Sequence, residues 1–94
     1  MTNKVKHRNE KEYKLLINRL KRIEGQVRGV EKMVETDTYC VDILTQVSAI
    51  QAALNAFNKE LLGNHIKTCV AEGIRAGDDE IIEELLKTLQ KLMK

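Results

Sequence analysis

Two long stretches of this chain place apolar residues three and four apart, and that spacing restricts the fold to packed helices. In the first, Tyr13, Leu16, Leu20, Ile23, Val27, Val30 and Val34 follow one another in steps of 3, 4, 3, 4, 3 and 4. In the second, Ile43, Val47, Ile50, Leu54, Phe57 and Leu61 alternate steps of 4 and 3. A seam of this kind belongs to helices that cross at shallow angles. There is no proline in the 94 residues to break it, and no strand-type alternation competes with it. The pattern predicts an all-α, three-helix protomer. Its first helix runs from about Glu10 to Thr36, and its second starts near Tyr39 and is ended by Gly73 and Gly77. A short third helix carries Ile82, Leu85, Leu89 and Leu92. Thr36-Asp37-Thr38 supplies turn and N-cap chemistry before the second helix, and Asp78-Asp79 cap the third.

A chain of this size sits near the lower limit for a self-sufficient core, and its only aromatic residues are Tyr13, Tyr39 and Phe57. The expectation is one domain, 1–94, that completes its core by oligomerising, with residues 1–9 as a flexible basic tail. No stretch of about 18 apolar residues predicts a membrane span, and the polar start of the chain does not read as a signal peptide. The expected location is cytoplasmic, where two cysteines are free thiols or metal ligands rather than a disulfide.

Net charge is only +2, but it is unevenly spread. Residues 1–32 carry ten Lys/Arg against four Glu, whereas residues 33–94 carry six against ten Asp/Glu. The basic excess on the first third marks a nucleic-acid surface. Its candidates are Lys14, Arg19, Lys21, Arg22, Gln26 and Arg28, with Lys4, Lys6, Arg8 and Lys11 adding attraction. No helix-turn-helix or zinc finger is present, so binding would lean on phosphate contacts and DNA shape. Nor is there a nucleotide-binding glycine loop or a nucleophile–base arrangement apart from the Cys/His set, which argues against an enzyme.

That set is Cys40, His65 and Cys69. His65 and Cys69 lie four apart and face the same way on a helix. Cys40 lies 25 residues before His65, roughly 37 Å along a continuous helix at about 1.5 Å per residue. One chain therefore cannot bring all three to one ion without a break, and Ala49 to Leu62 contains no breaker. An antiparallel pair of second helices solves this, with its midpoint between about Ala52 and Leu54, where small residues permit close approach. Each of two equivalent sites then draws Cys40 from one protomer and His65 and Cys69 from the other. Two thiolates and an imidazole form a soft set, suited to trigonal Cu(I) or to zinc with an open position.

These segments resemble the CsoR family of bacterial metal-sensing repressors. The resemblance runs through Asn18-Arg19-Leu20-Lys21-Arg22-Ile23-Glu24-Gly25-Gln26-Val27-Arg28-Gly29 and Tyr39-Cys40-Val41-Asp42-Ile43-Leu44-Thr45-Gln46. It continues in Asn64-His65-Ile66-Lys67-Thr68-Cys69 and Ile82-Glu83-Glu84-Leu85. It implies an antiparallel four-helix-bundle dimer assembled as a dimer of dimers. It also implies Cu(I) held across protomers by Cys40, His65 and Cys69, with Tyr39 and Glu84 beside the ligands. Apo protein would hold the operator of copper-resistance genes, and Cu(I) would release it.

Relatives with other functions differ at identifiable positions. Nickel and cobalt sensors use an additional N-terminal histidine, a position that falls on Arg8 here, with His7 one residue short. Persulfide sensors lack the histidine present as His65, and formaldehyde sensors lack the cysteine present as Cys69. The alternatives to a copper repressor are a nickel- or zinc-responsive repressor of the same family and a helical metal carrier without DNA binding.

Overall fold

The computed structural model describes residues 8–93; Lys4, Lys6 and His7 lie outside the described residues. Among these residues the structure is helical throughout: α1 (Glu10–Glu35), α2 (Cys40–His65), a π-helical stretch (Ile66–Val70), α3 (Ala71–Arg75) and α4 (Glu80–Leu92). The chain divides into two compact units after Lys59.

In the first unit, α1 starts where the sequence places it because Asn9 caps it. The Asn9 side chain accepts the Glu12 backbone N–H at 2.8 Å, satisfying one of the donors a helix start leaves unpaired. Two ion pairs at i, i+4 spacing decorate the exposed face, Glu10–Lys14 and Glu24–Arg28, and a third, Arg8–Glu12, is half-covered. Of the seam, Leu16 and Ile23, seven apart, are buried. No residue of α2 is buried. Its seam residues Ile43, Val47, Ile50 and Phe57 are half-covered, while Leu44 and Leu54 are exposed.

Thr36-Asp37-Thr38 does different work from the expected N-cap. It closes α1: the Thr38 N–H donates to the Met33 carbonyl at 2.9 Å and the Asp37 N–H to that of Val34 at 3.2 Å. Asp37 takes φ 54°, the left-handed residue that this pair of bonds requires. The Thr36 hydroxyl turns back onto the Lys32 carbonyl at 2.9 Å, so it caps the end of α1 and not the start of α2.

The second unit holds the end of α2, the π-helical stretch, α3 and α4. Here the terminator is Gly77 alone, at φ 79°, with the Asp78 N–H donating to the Gly73 carbonyl at 2.8 Å. Gly73 sits inside α3 for another reason. A Cβ there would meet Ile81 Cδ1 and Cγ2 at 3.0 Å and Ile81 Cβ at 3.3 Å. The missing side chain seats Ile81, which is buried together with Val70. The anchor of α4 is therefore Ile81, one residue before the expected Ile82, which is 38% exposed. Asp78, not Asp79, supplies the cap, its Oδ1 accepting the Glu80 N–H at 3.2 Å. Gly73→Ala should destabilise the fold by about 1–3 kcal/mol, because the overpacked atoms lie close to the α4 backbone and cannot swing away. A urea melt followed by circular dichroism measures this, and an unchanged midpoint would contradict the seating of Ile81.

The helical run Cys40–Arg75 is long and apolar enough, by length and composition, to cross a membrane. The run passes on mean hydropathy alone and contains no unbroken stretch of about 18 apolar residues. Alanines and branched aliphatics raise the mean hydropathy of the run although Thr45, Gln46, Ser48, Gln51 and Asn55 interrupt it.

Candidate metal centre and nucleic-acid interface

Cys40 opens α2 in the first unit and is an exposed free thiol. His65 ends α2 in the second unit and is half-buried, and Cys69, four residues on, is a half-buried free thiol. Between them the helix changes pitch. The Ala71 N–H donates to the Ile66 carbonyl, five residues back, which is the π bond that inserts an extra residue into the turn. Four residues is slightly more than one α turn and slightly less than one π turn, so His65 and Cys69 remain on one side of the helix. No spacing pattern announces this stretch. Its local correlates are the β-branched residues Ile66, Thr68 and Val70 and the Thr68 hydroxyl, which donates back to the Asn64 carbonyl at 2.7 Å. Such i−4 back-bonds bend helices.

Among the described residues, no three His, Cys, Asp or Glu side chains converge within the chain. His65 and Cys69 offer two soft donors from one helix segment, and a third donor to a shared ion would have to come from elsewhere. Tyr39 precedes α2 and is 71% exposed, with its carbonyl accepting the Asp42 N–H at 3.0 Å. Glu84 is half-buried on α4, and its carbonyl accepts the Thr88 hydroxyl at 2.9 Å.

The basic residues of α1 separate into two stripes. Lys14, Lys21 and Arg28 recur every seven residues on one flank; Arg19, Arg22 and Gln26 occupy another, with centres roughly 130° apart at about 100° per residue. The first stripe is largely neutralised inside the chain: Lys14 pairs with Glu10 at 2.9 Å and Arg28 with Glu24 at 2.7 Å. The second stripe has no ion pair with another described residue. It borders a cleft of about 540 Å³ between α1 and α2, lined by Leu15, Asn18, Arg19, Arg22, Ile23 and Ala53. Arg19 Nε and Gln26 Oε1 are buried and lack a hydrogen-bond partner, an arrangement that costs about 1–3 kcal/mol unless something outside the protomer satisfies it. Asn18, absent from the sequence candidates, joins Arg19 and Arg22 at the cleft wall.

Residues 12–91 match the model of a family described as a metal-sensitive transcriptional repressor. The chain is 52% identical over 91 residues to the copper-sensing transcriptional repressor CsoR of Bacillus subtilis (strain 168), covering 96% of this chain and 90% of that one. Its fold is similar to the crystal structure of the copper-sensing repressor CsoR with Cu(I) from Geobacillus thermodenitrificans NG80-2. That likeness has a TM-score of 0.90 and 48% identity, and covers 96% and 95% of the two chains. A more distant likeness is to the nickel-responsive transcriptional regulator InrS, at TM-score 0.71 and 31% identity over 96% of this chain and 98% of that one.

Proposed function

This chain belongs to the metal-sensitive transcriptional repressor family, and on that premise we propose that it represses copper-resistance genes and releases their operator when it binds Cu(I). The observation that carries the copper reading is the donor set: free thiols at Cys40 and Cys69, and His65 one helical turn before Cys69. These donors are soft and suit Cu(I) or zinc with an open position, and the likeness to copper-sensing relatives favours Cu(I). Cys40 comes from one protomer and His65 with Cys69 from another, so the site exists only in the oligomer, a dimer of antiparallel α1–α2 hairpins paired into a tetramer. Tyr39 and Glu84 stand beside the ligands, with Glu84 fixing the orientation of the His65 ring through its second nitrogen. No role in catalysis is assigned, and the protein works in the cytoplasm.

Operator DNA is held by the Arg19, Arg22 and Gln26 stripe with Asn18. The unpartnered Arg19 Nε–H and the open cleft suit phosphate oxygens, and repetition of the stripe in the oligomer gives a salt-dependent grip. Lys14, Lys21 and Arg28 contribute long-range attraction. Regulation requires only that Cu(I) bind the DNA-releasing arrangement more tightly, with a coupling on the order of 1–3 kcal/mol.

The test is fluorescence-anisotropy titration of operator DNA with and without saturating Cu(I). Affinity should fall between about fivefold and 150-fold with copper, the range that coupling allows, and stay unchanged with nickel. Equal affinity with and without Cu(I) would refute the regulatory claim; absence of salt-dependent DNA binding would point to a metal carrier.

A further inference from the structure

We propose that Gln26 reads the major-groove edge of an adenine while the arginines beside it grip phosphates, an inference that rests on the DNA-binding reading of this flank of α1. The orphaned polar atoms of Arg19 and Gln26 are of opposite kinds. Arg19 Nε is a donor and Gln26 Oε1 an acceptor, and neither has a hydrogen-bond partner. A phosphate presents acceptor oxygens, so it answers Arg19 and cannot answer Gln26. On DNA the N–H donors belong to the bases: N6 of adenine and N4 of cytosine in the major groove, and N2 of guanine in the minor groove. The Gln26 amide also carries an NH2 group that donates. Adenine alone sets an acceptor, N7, beside a donor, N6, on its major-groove edge, and one amide meets both at once.

The surroundings of Gln26 fit a reading residue. It lies four residues after Arg22 and seven after Arg19, one and two turns along the same flank, so the cations that hold the DNA backbone stand on its N-terminal side. The residue is half-buried. Its terminal torsion is broad and roughly two-fold, and a turn about it brings the covered oxygen to the surface. Gly25 adjoins Gln26 and Gly29 follows it, and a Cβ at either glycine would meet nothing within 4 Å. Both lie inside α1, where glycine is less favourable than alanine, and no contact within the protomer accounts for them. Their bare backbone lets a groove wall come close enough for a side chain shorter than arginine to touch a base.

Gln26→Met keeps the side-chain length and the helix propensity and removes the amide. Metal-free parent and variant are each mixed with a library of sequence-randomised duplexes, and the bound fraction is sequenced. Anisotropy then follows binding to the duplex most enriched by the parent and to a scrambled duplex of the same length. The parent should enrich adenine at a fixed position of each half-site, and Gln26→Met should lose that preference and no other. Affinity for the enriched duplex should fall between about fivefold and 150-fold, the range of one bidentate base contact. Affinity for the scrambled duplex, and the salt dependence on both, should match the parent, because a neutral amide displaces no counterion. An equal loss on both duplexes marks a structural role and overturns the proposal. An unchanged sequence preference also overturns it, and joined to a weaker oligomer in sedimentation it assigns the Gln26 oxygen to a donor of another copy. A parent without salt-dependent DNA binding overturns the DNA reading itself and the proposal with it.

Discussion

Replacing Cys69 with alanine will weaken Cu(I) binding by a thousandfold or more, about 4 kcal/mol, and leave operator DNA bound at copper levels that release the parent protein. In the proposed site one soft donor of three is then lost, and His65 alone on that helix segment would not hold the ion against cellular thiols. Chelator competition measures the affinity, and anisotropy in the same samples measures release. The sharper form of the experiment mixes two defective chains, Cys40→Ala and His65→Ala. If the site were confined to one chain, every site in the mixture would be broken. With Cys40 supplied across the interface, a mixed dimer keeps one intact site of two. Copper stoichiometry near one per mixed dimer supports the shared site, and none at all refutes it.

The second large effect concerns DNA. Arg19→Ala combined with Arg22→Ala should lower operator affinity by more than about a hundredfold at about 0.1 M salt. It should also flatten the salt dependence by roughly two units for each protomer in contact. Lys14→Ala with Arg28→Ala removes the same formal charge but should cost on the order of tenfold or less. Those two cations are already paired with Glu10 and Glu24, so each must give up a neighbouring carboxylate before it can meet a phosphate. The prediction is thus an ordering, and the reverse order would assign the DNA to the other flank of α1.

The helices were legible from periodicity because burying one face of an amphipathic helix requires it, whereas the Asn9 cap that sets the start of α1 was seen only in the structure. The failures share a cause. Whether Ile81 or Ile82 is buried depends on the space left by Gly73 on another helix, and side chains at adjacent positions read equally apolar. Thr36-Asp37-Thr38 carries the right residues for either the end of one helix or the start of the next, and only the left-handed Asp37 backbone decides between them. The π-helical stretch is invisible because five-residue bonding leaves no period to read. At the site, His65 and Cys69 stood out through their spacing. The unpartnered Arg19 and Gln26 atoms did not, since burial of single polar atoms is a property of packing and not of sequence.

Only Leu16, Ile23, Val70 and Ile81 are buried among the described residues of the protomer. A core that thin ties folding to encounter: a newly made chain acquires most of its stability by finding another copy. Its melting temperature will therefore climb with protein concentration, as mass action requires of obligate assemblies. A cell holding few copies would clear unpaired chains by proteolysis before they could occupy DNA. The amount of working sensor then varies more steeply than the rate of synthesis, so expression level itself becomes part of the regulatory threshold.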